Sequence, residues 1–278
     1  GRIITCKEGN YYLAKIGHYL LHDTMTRVNM DFTQDVCYQG LFFLADSLNE
    51  GKPSGLKVFG DWPTIYPALS QLPDAARASW FAFDHYYSDG AFNAALPYVF
   101  ANNPTTLYDV GGNTGKWALR CCKYNENIAV TLLDLPQQIV LAKENIANAG
   151  FSDRIDFQAV DMLSDAPLPG EADIWWMSQF LDCFSPEQII SILSKIASVM
   201  KPGAKVCIME LFWDAQRFEA ASFSLNASSL YFTCMANGNS RFYSAEKFYD
   251  YLNKAGFQVA ERHDNLGVGH TLLICQKK

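Results

Sequence analysis

The sequence has no excess of positive charge and no cluster of lysine and arginine residues. Its 278 residues include 22 Lys and Arg against 29 Asp and Glu, which gives a net charge of −7 at pH 7. Proteins that bind the phosphate backbone of a nucleic acid need a basic face to displace counterions. The composition therefore argues against a nucleic-acid partner.

Long apolar runs and a signal-peptide pattern are also missing. No stretch of the sequence approaches the roughly 20 apolar residues that a membrane-spanning helix needs, and the first residues do not combine a basic start with an apolar run. We therefore expect a cytoplasmic protein with no membrane partner. Because Gly1 is an unusual natural start, we expect some N-terminal sequence to precede it.

Cysteine is present, but without the spacing that metal ligands or redox pairs show. None of the eight cysteines belongs to a CxxC or Cys/His pattern, and several lie in apolar runs such as residues 206–208 and 272–275. This pattern is typical of reduced thiols in the core of an intracellular protein. We expect no metal site.

From about residue 105 to the end, strand-like and helix-like segments alternate, which is typical of a parallel sheet covered by helices on both faces. The predicted strands are residues 106–110, 129–134, 155–159, 174–177, 205–211, 258–262 and 271–275. Two helices are predicted between them, at residues 136–149 and 186–200, each with proline in its first turn and glycine just past its end.

The first hundred residues follow a different pattern. Residues 2–13 predict a hairpin whose turn is Glu8-Gly9-Asn10, and helical segments rich in aromatic residues follow, notably at 41–48 and 77–100. We therefore predict two domains, a smaller, mainly helical one at residues 1–95 and a larger α/β domain at residues 96–278.

The most informative segment is residues 107–115, Leu-Tyr-Asp-Val-Gly-Gly-Asn-Thr-Gly, in which an apolar strand ends in a glycine turn. In an open α/β sheet such a turn binds a nucleoside cofactor. Asn113 and Lys116 break the dinucleotide pattern, which makes a nicotinamide dehydrogenase a distant alternative. Asp109 is unfavourable beside a pyrophosphate but favourable beside the sulfonium and amino groups of S-adenosylmethionine.

Two more acidic residues stand at the ends of the next strands. Asp134 ends the predicted strand at residues 129–134, where a carboxylate can accept hydrogen bonds from both ribose hydroxyls. Asp161 and Met162 follow the third predicted strand, and they suit the amino group and the ring face of adenine. The order of these residues predicts S-adenosylmethionine as the cofactor.

These motifs resemble a known family, the class I S-adenosylmethionine-dependent O-methyltransferases of small molecules, which includes plant caffeate and hydroxyindole enzymes and bacterial polyketide-tailoring enzymes. Residues 109–115 are similar to the family's D-V-G-G-G-T-G, residues 134–136 to its D-L-P, and residues 160–162 to part of its G-D-M-F. The resemblance implies a Rossmann-like seven-stranded sheet, a winged-helix-type N-terminal domain that is truncated here, and a homodimer.

The resemblance also implies which residues bind the cofactor: Asp109, Gly111, Gly112, Gly115, Asp134, Leu135, Asp161, Met162 and Ser178. Asn113 replaces the third glycine of the family turn. Because asparagine tolerates positive φ better than other non-glycine residues, we expect the turn to form.

The catalytic segment departs further from the family pattern. Asp182 stands where the family has the histidine that deprotonates the substrate hydroxyl, and Ser178 stands in place of a lysine. A second family carboxylate, which steadies that histidine, is replaced by Phe242. Both parts of the usual base are therefore missing.

Three interpretations of this departure stay open. Asp182 itself is the base, with a pKa raised by apolar neighbours such as Phe180 and Phe184. Alternatively, His270 reaches the site from the last strand. In the third interpretation no base is needed, because proximity and in-line alignment suffice for an acidic hydroxyl, a thiol or an amine.

The expected function is methylation of an oxygen atom on an aromatic or polycyclic small molecule. Seven large side chains between residues 218 and 243 are predicted to wall the acceptor site: Phe218, Phe223, Tyr231, Phe232, Met235, Phe242 and Tyr243. The alternatives are methylation of nitrogen, sulfur or carbon, and a family member that binds cofactor or ligand but has lost the transfer chemistry.

Overall fold

The computed structural model describes residues 2–278, and all seven predicted strands of the large domain are present. The strands are β1 (Ile4–Lys7), β2 (Asn10–Leu13), β3 (Thr106–Val110), β4 (Ala129–Asp134), β5 (Ile155–Ala159), β6 (Ile174–Ser178), β7 (Lys205–Glu210), β8 (Phe257–Leu266) and β9 (His270–Lys277). The first two form the predicted hairpin, with Glu8 and Gly9 both at positive φ in its turn. The other seven form one sheet in the order β5-β4-β3-β6-β7-β9-β8.

The helices lie between these strands and before them. They are α1 (Lys15–His22), α2 (Thr24–Phe32), α3 (Leu44–Glu50), α4 (Asp74–Val99), α5 (Lys116–Tyr124), α6 (Pro136–Asn148), α7 (Pro186–Val199), α8 (Glu219–Tyr231) and α9 (Ala245–Lys254). The predicted start of α7 is confirmed: Ser185 Oγ accepts from the Gln188 N–H, and the Gln188 side chain accepts from the Ser185 N–H. None of the helices in residues 2–278 is long and apolar enough to cross a membrane.

The sheet is mixed rather than wholly parallel. β3 to β7 run parallel, but β9 is antiparallel to both of its neighbours, β7 and β8. Only three residues separate β8 from β9, and Leu266 pairs with His270 across that turn. So short a connection permits only an antiparallel pair. The same hairpin extends β8 to Leu266, beyond the predicted end at residue 262.

Both faces of the sheet are covered, and successive residues of β6 point into different cores. Trp175 packs on the face covered by α7 and α9, whereas Trp176 stacks on Trp117 of α5 with ring centroids 3.8 Å apart. Phe92 of α4 packs edge-on against Trp117. α4 therefore joins the N-terminal region to the sheet. The predicted domain boundary at residues 95–96 lies within this helix, and the division into two domains remains a prediction.

The loop that leads into β4 is held by one basic side chain. Arg154 donates to the carbonyl oxygens of Cys122, Asn125 and Ile128, at 3.0, 2.7 and 2.9 Å. A guanidinium can satisfy three carbonyls at once because its donors form a rigid fork. Arg154 thereby fixes where β4 begins, and so where its far end places Asp134.

We predict that Arg154→Met lowers the free energy of unfolding by about 2–3 kcal/mol, because two of the three carbonyls belong to buried residues and would lose charge-assisted hydrogen bonds. Urea denaturation followed by circular dichroism measures the change. The matched control is Arg120→Met, which removes an exposed arginine with a single 3.3 Å bond to Asn93. Equal losses in the two variants would contradict this role for Arg154.

Candidate functional site

A cavity of about 360 Å³ opens at the carboxyl edge of the sheet. Its floor is formed by the ends of β3, β4, β5 and β6, and α4 and the end of α8 close its other side. In open α/β sheets, ligands bind at this edge, where the strand order reverses. Here the reversal falls between β3 and β6, which are neighbours in the sheet although two strands separate them in sequence.

The glycine turn adopts the backbone conformation that the sequence predicts. Gly111, Asn113 and Gly115 have positive φ values of 69°, 50° and 79°. A Cβ atom added to Gly111 would lie 2.2 Å from the Phe180 ring, so that position requires glycine for space as well as for conformation. Gly115 is the residue before α5 and packs against Ile146, outside the cavity lining.

Asp134, at the end of β4, is hydrogen-bonded to the glycine turn. Its Oδ2 accepts from the Asn113 N–H at 2.8 Å, and its Oδ1 accepts from the Leu135 N–H at 2.7 Å. Burial raises the pKa of Asp134 to about 6, although both hydrogen bonds act in the opposite direction. Asp134 and Leu135 line the cavity.

Asp109, at the end of β3, is buried and lacks a counter-charge. Its Oδ2 has no hydrogen-bond partner among the described residues. Burial, and then the charge of Asp134, raise the pKa of Asp109 to about 8. Because an unpaired buried carboxylate is costly, a cation placed here would be strongly favoured. The sulfonium and ammonium of S-adenosylmethionine meet that requirement.

The other predicted cofactor residues also line this cavity, namely Gly112, Asp161, Met162 and Ser178. Asp161 is exposed and accepts from the Leu163 N–H at 2.9 Å, whereas Met162 is buried. Ser178 Oγ is buried without a partner among the described residues. Eight of the nine predicted residues therefore share one cavity, and its unpaired polar atoms fit a polar nucleoside cofactor.

Asp182 lies in a short helical turn, Leu181–Cys183, directly after β6. It is 5% exposed and lines the cavity. Burial raises the pKa of Asp182 to about 7, and the nearby charge of Asp84 adds to the effect, while the Cys183 thiol, 3.4 Å from Oδ1, lowers it. Glu210 fixes the turn by accepting from the Phe180 and Leu181 N–H groups at 3.1 and 2.9 Å.

His270 is fully buried and does not line the cavity. Its Nε2 lies 2.7 Å from Gln179 Oε1, and burial lowers the pKa of His270 to about 3. The ring is therefore neutral at pH 7, and Nε2–H donates to Gln179. Gln179, which does line the cavity, in turn donates to Asp84 Oδ1 at 3.2 Å.

The sequence motifs did not predict that α4 contributes polar residues, Asp84 and His85, to the cavity. Asp84 accepts from Gln179 and, through Oδ2, from Asn113 Nδ2 at 3.3 Å. Burial, and then the charge of Asp89, raise the pKa of Asp84 to about 7. His85 lies beside Asp84, with its Nδ1 3.7 Å from Oδ2. The available signal was the cluster of polar residues at positions 84, 85, 88 and 89, which share one face of an otherwise aromatic helix.

Beyond Asp182 the cavity becomes aromatic. Its apolar wall consists of Phe32, Tyr66, Trp80, Phe83, Phe184, Leu211, Tyr231, Phe232 and Phe242. Of the seven side chains predicted for this wall, Tyr231, Phe232 and Phe242 line it. Phe218 and Phe223 are exposed to solvent and do not line the cavity. Met235 and Tyr243 are buried in the hydrophobic cores behind the wall.

Known proteins are similar to this chain in sequence and in fold. Residues 92–258 match the model of the O-methyltransferase domain family. An L-tyrosine C(3)-methyltransferase of Streptomyces lavendulae is 26% identical over 99% of this chain and 76% of its own length. A 3-hydroxy-5-methyl-1-naphthoate 3-O-methyltransferase of Streptomyces sahachiroi is 31% identical over 54% of this chain and only 42% of its own length.

Solved structures share the fold at low sequence identity. The O-methyltransferase NcsB1 from neocarzinostatin biosynthesis, in complex with S-adenosylmethionine and 2-hydroxy-5-methyl naphthoic acid, has a TM-score of 0.76 and 19% identity, covering 100% of this chain and 81% of its own. The S-adenosylmethionine-dependent methyltransferase SibL has a TM-score of 0.74 and 22% identity over 99% and 81% of the two chains.

The family model covers more than half of the sequence, so the chain belongs to the O-methyltransferase domain family. The predicted methyltransferase family is confirmed by the family model, and the predicted fold class by the solved structures. The buried, unpaired carboxylate of Asp109 fits the predicted cofactor, S-adenosylmethionine.

We predict that Asp134→Asn weakens binding of S-adenosylhomocysteine by about tenfold or more, because ribose hydroxyls donate more strongly to a carboxylate than to an amide. Titration calorimetry measures the affinity. Since hydrogen-bond donors favour the ionised form, and the pKa of Asp134 is about 6, affinity of the unmodified protein should fall as the pH drops from 7 to 5.

The Asp134→Asn variant should lose the part of the pH dependence that arises from the titration of Asp134. Asp156→Asn is the matched control, because it removes an exposed aspartate from the neighbouring strand β5. Unchanged affinity and an unchanged pH profile in Asp134→Asn would contradict the assignment.

Proposed function

We propose that this protein transfers the methyl group of S-adenosylmethionine to an oxygen atom on an aromatic small molecule. The observation that carries the proposal is a single cavity in which the cofactor edge of the sheet continues into an aromatic chamber, with the buried carboxylate of Asp182 among its lining residues. Aromatic walls bury a flat acceptor, and one polar group at the junction orients it.

When bound, the cofactor supplies an electrophilic methyl group on a sulfonium. The chain's own residues position the reactants and move the proton. Asp109 and the glycine turn hold the positive end of the cofactor, and Asp134 and Asp161 hold its nucleoside. Asp182 accepts the proton of the acceptor hydroxyl, which leaves an oxygen able to attack in line.

Asp182 suits this step because its surroundings bring its pKa close to neutrality. A carboxylate with an ordinary pKa near 4 is too weak a base for a phenol, whereas a raised pKa brings proton transfer closer to balance. The pKa of about 7 leaves half of the groups ionised at neutral pH. His270 is proposed to orient Gln179 rather than to act as a base, because it lies outside the cavity lining.

A second candidate reaction is methylation of a ring carbon next to a phenol. It is favoured by the L-tyrosine C(3)-methyltransferase, whose similarity extends over 99% of this chain. Asp182 would play the same role, because removing the phenolic proton also makes the adjacent carbon nucleophilic. After that carbon takes the methyl group, its hydrogen leaves as a proton to solvent, which restores the aromatic ring. Transfer from ¹³C-methyl-labelled cofactor followed by NMR of the product separates a methoxy group from a ring methyl group.

A homodimer remains part of the proposal. Large apolar side chains are exposed on β2, α1 and α2, including Tyr11, Tyr19 and Leu21, which are 76%, 51% and 55% exposed. Monomeric proteins rarely leave contiguous apolar patches of this kind uncovered. The winged-helix character of this region and the two-domain division are proposed with it.

We predict that Asp182→Asn lowers turnover by at least about a hundredfold, the lower range for loss of a general base, and leaves the affinity for S-adenosylhomocysteine unchanged. In the unmodified enzyme the rate should rise with pH through about 7 and then level off, because only the ionised carboxylate accepts a proton. Methyl transfer from radiolabelled cofactor to a panel of phenols measures both effects.

Asp182→Glu, which keeps the carboxylate, should restore part of the activity. Asp156→Asn again serves as the surface control. Full turnover in Asp182→Asn would exclude the base role. Cofactor binding without transfer to any acceptor would instead favour the ligand-binding alternative.

We predict that sedimentation equilibrium gives the mass of a dimer, and that Leu21→Arg in α1 shifts the protein towards monomer. Val140→Arg is the matched control, because Val140 is a comparably exposed apolar residue (69%) on α6 of the other domain. A monomeric unmodified protein would remove the dimer from the proposal.

A further inference from the structure

Acidic side chains clearly outnumber basic ones in the lining of the cavity. Among the described residues, the lining includes five carboxylates and two basic side chains: Asp84, Asp109, Asp134, Asp161 and Asp182 on one side, and His85 and Lys116 on the other. Neither basic group offers a free positive charge. Lys116 Nζ lies 2.7 Å from Asp89 Oδ2, and burial lowers the pKa of His85 to about 4, which leaves it neutral at pH 7.

The cofactor accounts for only part of this negative charge. S-adenosylmethionine carries a sulfonium, an ammonium and a carboxylate, so it brings little net positive charge. Asp109, Asp134 and Asp161 follow the strands that hold it. Asp84 and Asp182 come from α4 and from the turn after β6, and the motifs that bind the cofactor use neither of them.

These two carboxylates act on the acceptor side of the cavity. Both line the same cavity as Tyr231 of the aromatic wall, and the Gln179 side chain that donates to Asp84 lies three residues before Asp182 in the chain. Two amide groups, Gln179 Nε2 and Asn113 Nδ2, hold Asp84 in place at 3.2 and 3.3 Å. No lysine or arginine of the described residues lines the aromatic chamber to offset either carboxylate.

The chamber also contains a buried hydroxyl group without a normal hydrogen bond among the described residues. The Tyr66 hydroxyl is buried in the cavity wall and makes no hydrogen bond of normal geometry within the described part of the chain, although the Cys183 thiol lies close to it. Buried hydroxyls in native structures are nearly always hydrogen-bonded. An unpaired one in the wall of a cavity indicates that a polar ligand group completes it.

We propose that the acceptor is a phenol with an aliphatic amino group, whose ammonium lies beside Asp84, and that acceptors with a free carboxylate but no amino group are rejected. This inference rests on the proposed function and names its substrate class. A carboxylate brought into the chamber would lose its hydration beside two like charges without gaining a cation. An ammonium group would instead pair with Asp84 and favour the ionised form of that carboxylate.

Phenols that differ only in the charge of one side chain test the proposal. Tyramine is cationic, 4-propylphenol is neutral and 3-(4-hydroxyphenyl)propionate is anionic, and dopamine and dihydrocaffeate repeat the cationic and anionic members on a catechol ring. We expect kcat/KM for each amine to exceed that of its carboxylate counterpart by at least about tenfold. Equal or higher values for the carboxylates in both series would overturn the proposal.

Binding of the same compounds to the complex with S-adenosylhomocysteine, measured by calorimetry, separates the two levels of inference. Binding in the order amine, neutral phenol, carboxylate, without methyl transfer, would refute the proposed function and support the charge preference. Methyl transfer combined with the reverse binding order would support the proposed function and refute the charge preference. Failure of every member to bind would overturn the substrate class.

The variant Asp84→Asn locates the preference. The affinity for tyramine divided by the affinity for 4-propylphenol is measured in each protein, so that a general loss of binding in the variant cancels out. This ratio should be about tenfold lower in Asp84→Asn than in the unmodified protein. Asp84→Glu should restore the ratio, and Asp156→Asn should leave it unchanged. An unaltered ratio in Asp84→Asn would remove Asp84 from the proposal.

Discussion

The desolvation of carboxylates at one edge of the sheet is the constraint on which the rest of the site depends. Parallel strands end side by side, so Asp109 and Asp134 are brought together at the ends of β3 and β4. Burial, and then the charge of Asp134, raise the pKa of Asp109 to about 8, and Asp109 is therefore mostly protonated at pH 7. A cation that binds there replaces that proton. The fold thus prepares a cation site before the cofactor arrives, which is the physical basis for preferring a sulfonium cofactor over a pyrophosphate.

The replacement of a family glycine by Asn113 has a structural consequence beyond tolerance of positive φ. Its backbone N–H donates to Asp134, and its side-chain Nδ2 donates to Asp84. A glycine could make only the first of these bonds. Asn113 therefore links the cofactor turn to α4, and through Asp84 and Gln179 the link continues to His270 in β9. The departure from the family pattern connects the cofactor edge to the acceptor chamber.

The strands, the glycine turn and the carboxylates that line the cavity beside it could be predicted from the sequence because their signals are local. Alternation, turn residues and the acid at the end of each strand all lie within about ten residues of one another. The contribution of α4 could not be predicted, because Asp84 meets Asn113 and Gln179 only after the chain has folded, across 29 and 95 residues. The direction of β9 was missed for a related reason: the alternating pattern indicates a strand, but only the short turn after Leu266 fixes its orientation.

In the proposed mechanism, the replacement of the family histidine by Asp182 and of the second family carboxylate by Phe242 are one chemical change. A histidine base needs an acidic partner to hold its tautomer and orientation, as in catalytic triads. A carboxylate base has two equivalent oxygens and no tautomer, so it needs burial instead of a partner. Asp182 is buried, and Phe242, in the position of the second family carboxylate, contributes an apolar surface to the same cavity. An acidic residue at 242 would have competed with Asp182 for a proton, whereas a phenylalanine helps to keep the site dry. Loss of the partner therefore accompanies the change of base rather than adding a second defect.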